Sequence, residues 1–252
     1  QFKTVMDSLS TDLLQKFPYY RNNFIESTIS GDLSFNKRFS TKSQIKIGVI
    51  AKLLAFNYYD SVFKKNDNAF LILRNDEGDA LLTQPYINWQ YRPTNTLTFN
   101  TGLHAIYFFL NREWSVEPRI AIKWAISSNS SINLGYGLHS QVVSLSIVLG
   151  RVRLSDDSYI QPNKDLGFVR SHHFVAGYDW LLASHTRLKA EVYYQYIFDA
   201  AVDAAESNSY SLLNQGASFV LELPDYVKNG GNGQNYGVEL TLERFLNKGY
   251  YY

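Results

Sequence analysis

Hydrophobic and polar residues alternate with a period of two along much of the chain. In 96–107 one face reads Leu97, Phe99, Thr101, Leu103, Ala105 and Tyr107, against Thr98, Asn100, Gly102, His104 and Ile106. In 187–198, Leu188, Ala190, Val192, Tyr194 and Tyr196 oppose Arg187, Lys189, Glu191, Tyr193 and Gln195. The stretches 117–124, 132–139, 173–180 and 236–243 follow the same rule. Their apolar faces centre on Ile120, Leu134, Phe174 and Leu240. The apolar faces of these six stretches carry no charged residue. The polar faces carry Glu117, Arg119, Lys123, Asp179, Arg187, Lys189, Glu191, Glu239 and Glu243. Such alternation predicts strands with one dry and one wet face. Weaker strands are predicted at 22–39, 43–58 and 80–91, giving nine, and Tyr250–Tyr252 would begin a tenth.

The connections alternate too. Turn-forming residues occupy 40–43, 92–95, 127–130, 183–185 and 247–249. Between them fall 60–79, 111–114, 143–167 and 199–235, of which three are long. Short turns at one end and long loops at the other predict an all-β, antiparallel transmembrane β-barrel segment, with outer loops opposite periplasmic turns. Aromatic residues near strand ends (Tyr58, Tyr91, Trp114, Trp180, Phe198) suit interfacial girdles. The apolar faces would then meet lipid and the charged faces line the lumen. Pro118 falls on a lipid face, where it removes a ladder donor, and is expected near the outer rim or at a bulge. Apolar residues at helical spacing in 5–17 predict a short helix within an outer loop over 1–21.

Composition narrows the classes. The 252 residues carry 24 Lys and Arg against 23 Asp and Glu, a balance that excludes a polyanion-coating, nucleic-acid-binding protein. With no Cys there are no disulfides, thiolate metal sites or cysteine nucleophiles. No apolar run is long enough for a transmembrane helix. Gln1-Phe2-Lys3 does not read as a signal peptide, and the chain stops in an apolar run, so a piece of a longer protein is expected.

The chemistry-bearing motifs are weak. His172 and His173 are adjacent in a strand, point to opposite faces and cannot chelate one ion together. Ser171, His173 and Asp179 share a face, as a barrel hydrolase would require, but Asp179 lies about 20 Å from His173 along a strand. Gly135-Tyr136-Gly137 has no helix after it and does not read as a phosphate loop. Asn66-Asp67-Asn68 and Asn75–Asp79 put oxygen ligands in one outer loop, with spacing unlike a calcium-binding hand. The glycine-rich 228–235 reads as a flexible part of the loop 199–235. No catalytic residue, cofactor or metal is therefore assigned, and the chain does not read as an enzyme. Nine residues are candidates for contacts within the lumen: Glu117, Arg119, Lys123, His173, Arg187, Lys189, Glu191, Glu239 and Glu243.

Several runs resemble TonB-dependent receptors of the Bacteroidetes type. They are Glu117-Pro118-Arg119, Leu134-Gly135-Tyr136-Gly137-Leu138-His139-Ser140-Gln141, and Asn163-Lys164-Asp165-Leu166-Gly167-Phe168. Leu188-Lys189-Ala190-Glu191-Val192-Tyr193-Tyr194-Gln195-Tyr196, Asn235–Glu243 and Asn247-Lys248-Gly249-Tyr250-Tyr251 continue the resemblance. It covers about residues 115–252. It implies a barrel of about 22 strands filled by an N-terminal plug, of which residues 1–252 would form nine to ten strands, roughly the C-terminal half of one barrel domain, without the plug. It further implies energised uptake of a siderophore, glycan or peptide across the bacterial outer membrane. The implied partners are outer-membrane lipid, the plug of the same parent protein, the TonB system and a surface lipoprotein. The candidate lumen residues would contact plug or cargo. A passive porin, a small complete barrel, or a barrel scaffold in a larger surface complex are the alternatives.

Overall fold

The computed structural model describes residues 2–5, 17–65, 67–205, 210–215 and 224–245. Ten strands form one antiparallel sheet in chain order: β1 (Phe2–Val5), β2 (Phe17–Arg38), β3 (Ser43–Lys64), β4 (Ala69–Tyr91), β5 (Leu97–Phe108), β6 (Glu113–Ala125), β7 (Ser130–Gln141), β10 (Val169–Ala183), β11 (Thr186–Asp203) and β12 (Val227–Arg244). Between β7 and β10 lie α1 (Leu145–Val148) and a small hairpin of β8 (Val152–Arg153) and β9 (Tyr159–Ile160). The nine long strands are the nine that the alternation predicts, and a curved meander of this kind is part of a barrel wall.

The register carries the predicted faces across the sheet. Leu103 pairs with Pro118, Ile122 with Leu134, Ala176 with both Leu134 and Val192, and Val192 with Val238. These positions form one continuous apolar surface, and Leu134, Val192, Val238 and Leu240 are exposed on it. Trp114 and Trp124 stand ten residues apart on the same face of β6. That is about 33 Å of strand, or about 23 Å along the barrel axis at a tilt of about 45°. The separation matches the apolar band of an outer-membrane barrel, about 25 Å tall.

Several strands outrun that band. About 9–11 residues cross a bilayer, whereas β3 has 22 and β4 has 23. The apolar face of β3 runs from Ile45 to Ala55 and then gives way to Asn57 and Tyr59. Residues 60–79, expected as a loop, are therefore the tops of two paired strands joined through a tight turn near Asn68, whose φ is 48°. Asn75–Asp79 lie within β4, so successive oxygen ligands point to opposite faces. The flexible stretch expected at 228–235 is likewise strand: Val227–Gly233 pair with Ile197–Asp203 across two register shifts. The connection between β1 and β2 is confined to residues 6–16, which lie outside the described residues, as do Tyr250–Tyr252. The helix expected in 5–17 falls in that stretch, while Phe2–Val5 and Phe17–Tyr20 are paired strand.

Pro118 stays inside β6, paired with Leu103 on β5. The ladder to β7 ends at the adjacent pair, Arg119 with Gly137. A residue without an N–H suits the point where one neighbour is lost.

The core lies at the loop end. The polar faces turn apolar there, with Phe56, Tyr58, Ala80, Leu82, Ile106 and Phe108 buried beneath Leu145, Leu149 and Phe168 of the β7–β10 connection. Ile147, Val148 and Leu166 of the same connection pack on Ala201 and Val227. The long loop thus folds back over the upper wall.

Candidate functional site

Three polar groups occupy the face of the sheet that carries this loop. The uppermost ties the loop down. Asp60 is fully buried and accepts from Tyr20 Oη at 2.8 Å and from the Arg74 guanidinium. Arg74 Nε also donates to the Ser146 carbonyl in α1, so one guanidinium joins strand, strand and loop. Arg151 donates to both oxygens of Asp76 at 3.1 Å and to the Asn75 carbonyl at 2.6 Å. Gln161 donates to Asp76 at 2.9 Å. Asn163 accepts from the Val227 backbone at 3.0 Å, and Asn229 bonds Gly167 through both its oxygen and its amide. Burial, and then the hydrogen bond to Asp60, push the Tyr20 phenol up to about 12. Burial raises the Asp60 carboxyl too, while Arg74 works against the rise. Both groups lie above the apolar band, since Tyr20 pairs with Val62.

The middle group centres on Glu117, of which 1% is exposed. Its Oε2 takes Arg119 at 2.7 Å and His104 Nδ1 at 2.8 Å. Its Oε1 takes the Ser140 backbone N–H at 2.7 Å. This last bond stands where the β6–β7 ladder has stopped, so a side chain replaces a strand contact. The His139 and His173 rings meet edge to face with centroids 4.7 Å apart, and Gln195 Nε2 meets His173 Nε2 at 2.7 Å. Beside them opens a cavity of about 560 Å³, lined in part by Lys46, Asn88, Asn100, Arg119, His139 and His173.

The lowest group is self-paired. Arg187 binds Asp179, and reaches Glu243 at 3.2 Å. Asp179 also accepts from Asn133 at 2.7 Å. Lys189 pairs with Glu191. Glu239 accepts from Thr241 at 3.3 Å, and Lys123 lines a shallow hollow with Asp179 and Arg187.

All nine candidate lumen residues thus occur on one face, distributed between the middle and lower groups. The hydrolase triad is not assembled: Asp179 is engaged by Arg187 and Asn133, and His173 by Gln195. His172 lies on the apolar face, stacked against Phe198 at 5.1 Å and bonded to Tyr136 Oη at 3.1 Å, away from His173. Among the described residues no group of three or more His, Asp and Glu side chains is arranged to hold a metal ion. The upper group went unread in the sequence because Asp60, Arg74 and Asp76 lie in a segment that looks like loop. Its one signal was the apolar pair Ile106 and Phe108 on an otherwise polar face, which marks a surface covered by something else.

Fold and wall together define a segment of an outer-membrane β-barrel. Solved transporter structures share it. The FrpB iron transporter from Neisseria meningitidis superimposes with a TM-score of 0.60 at 14% identity, over 90% of this chain and 34% of that one. The siderophore receptor PirA from Pseudomonas aeruginosa gives 0.61 at 11% identity, over 90% and 41%. The outer membrane transporter YddB from Escherichia coli gives 0.60 at 12% identity, over 95% and 33%. The chain spans about a third to two fifths of the length of these structures. No protein-family model and no curated protein sequence matches it.

Proposed function

We propose that the chain is barrel wall and outer loops of a TonB-dependent receptor of the Bacteroidetes type, located in the bacterial outer membrane. The receptor takes up a nutrient such as a siderophore, glycan or peptide. The observation that carries this reading is the extent of the fold match, nine tenths of the chain or more on barrels of an iron transporter, a siderophore receptor and an outer membrane transporter. The sequence resemblance over residues 115–252 supports it independently. In this reading a plug from elsewhere in the parent protein fills the lumen, and Glu117, Arg119, Lys123, His173, Arg187, Lys189, Glu191, Glu239 and Glu243 face plug or cargo. The upper wall and its folded loop meet cargo or a surface lipoprotein at the outer mouth. The wall supplies shape and polar contacts, and no bond is made or broken by it.

The test uses the full-length parent protein in a planar bilayer and in cells. A plugged receptor holds the bilayer closed to ions, and nutrient uptake by cells stops when TonB is removed. A steady single-channel conductance, with uptake indifferent to TonB, would establish a passive porin instead.

A further inference from the structure

We propose that the turn joining β2 to β3, with its neighbour between β4 and β5, binds the phosphate group of an anionic phospholipid in the periplasmic leaflet. The site depends only on the chain being the wall of an outer-membrane barrel, whether that of a receptor or of a porin.

Charge is spread unevenly along the short-turn rim. Residues 33–48 and 86–98 hold Lys37, Arg38, Lys42, Lys46 and Arg92 and no Asp or Glu. The turn at 127–130 has no Lys or Arg. Arg187, beside the turn at 183–185, is paired with Asp179 and Glu243. Lys37, Arg38, Lys42 and Arg92 have no carboxylate within ion-pair range among the described residues. Four cations thus gather at one pair of adjoining turns, and no acid of the described wall neutralises them.

The two turns are laced into one cradle. The Arg92 backbone N–H donates to the Lys42 carbonyl at 2.7 Å, and Lys42 Nζ donates to the Pro93 carbonyl at 3.0 Å. Ser40 Oγ accepts from the Lys42 backbone at 3.1 Å. Arg38 Nε donates to the Ser40 carbonyl at 3.2 Å, which bends its guanidinium into the turn. Between the turns lies a hollow of about 120 Å³, lined by Arg38, Lys42 and Arg92 together with Ser40, Thr41 and Ser43. Its size suits one tetrahedral anion, and guanidinium groups, an ammonium and hydroxyls are the donors such an anion takes.

Position selects a lipid. Lys37 pairs with Ile45, and Ile45 with Trp89, so Lys37 stands in a lipid-facing row. Its Nζ lies 5.4 Å from the ring centroid of Phe39, two residues nearer the rim. A lysine in that row runs its aliphatic stem along the apolar surface and puts its charge at the headgroup level. Trp89 and Tyr91 stack with centroids 5.3 Å apart, and Trp89 Nε1 donates to Ser43 Oγ at 3.0 Å. An aromatic pair of this kind marks the membrane interface, and the cradle lies just beyond it, level with the lipid phosphates. Anionic headgroups attract Lys and Arg there. A zwitterionic lipid offers the same phosphate together with a cation, which the four positive side chains repel.

The experiment titrates the full-length protein in mild detergent with phosphatidylglycerol and with phosphatidylcholine, and counts bound lipid by native mass spectrometry. Expected is phosphatidylglycerol held about tenfold or more tightly than phosphatidylcholine, with one fewer molecule retained by Arg38→Gln/Lys42→Gln/Arg92→Gln. The wild-type count should persist in Arg38→Lys/Lys42→Arg/Arg92→Lys. Lys37→Gln removes a side chain with no hydrogen bond among the described residues, so it guards against misfolding, and it should weaken retention by itself. An unchanged count in the glutamine variant, or equal retention of the two lipids by the wild type, overturns the proposal. Displacement of phosphatidylglycerol by an equal concentration of inorganic phosphate would reveal a site for the free anion and overturn the assignment to lipid.

Discussion

Glu117 and Arg119 lie two residues apart on one face of β6, joined at 2.7 Å across the point where β6 loses its pairing to β7. The carboxylate also holds the Ser140 backbone N–H and His104, so it bridges a gap between two strands. Glu117→Ala leaves three donors without their acceptor and, since Arg119 itself is partly exposed, should cost about 1–3 kcal/mol. Glu117→Gln keeps an acceptor and should cost less. Amide exchange at Ser140 in the full-length protein separates the two. It should quicken markedly in the alanine variant and modestly in the glutamine one, and unchanged protection in both would refute the bridging role.

The spacing of Trp114 and Trp124 sets a depth scale for the lipid face. Ile120 lies near the middle of that band and is exposed on it. An arginine at Ile120 should destabilise the folded barrel by about 2–4 kcal/mol, and one at Trp124, at the interface, by the charge term of only about 0–1 kcal/mol. Urea unfolding of the full-length protein in lipid vesicles measures both. Equal charge costs at the two depths would contradict the assignment of this face to lipid.

Lipid is also why the wall was legible. Across the band each strand has hydrocarbon on one side and a polar interior on the other, which forces a period of two on Leu97–Tyr107 or Leu188–Tyr196. Above the band this constraint lapses. Tyr58 and Phe108 are buried on the polar side because a loop covers them, while Asn57 on the other side is no longer in lipid. The alternation dissolves, and strand reads as loop from Asp60 to Asp79. The Gly–Asn–Gln run at 228–235 fails for a different reason, since its pairing partner on β11 supplies the bulk. Period two placed the nine lumen candidates, eight charged residues and His173, on one face. Their partners His104, His139 and Gln195 shared that face but lacked any feature that set them apart.

The Tyr20–Asp60 bond makes a pH-dependent anchor for the upper wall. The phenol titrates at about 12 when folded, against an ordinary value of 10.0. A raised folded value means the contribution is complete below pH 10 and is lost as pH climbs from there through about 12. Tyr20→Phe should remove one late-titrating phenol from the alkaline absorbance titration of the full-length protein. It should also flatten the loss of stability over that window. A difference titration centred at 10 would show that Tyr20 is not bonded to a buried carboxylate.

Two glycines of the wall should respond oppositely to alanine. Gly231 lies in β12 opposite Ala200, where an added Cβ would sit 2.8 Å from Val202 Cγ1 and 3.1 Å from the Ala200 carbonyl. The contact falls between the two register shifts that fit β12 to the top of β11, so the backbone has little freedom to retreat. Gly231→Ala should cost about 1–3 kcal/mol, the usual penalty of overpacking. Gly31, in β2, has nothing within 4 Å of such a Cβ. There alanine only narrows the unfolded ensemble, and a gain of about 0.4–1 kcal/mol is expected. Denaturant midpoints of the two full-length variants, run side by side, give the comparison. A neutral Gly231→Ala would mean that β12 does not hold this register against β11, and that residues 228–235 are the loose segment their composition suggests.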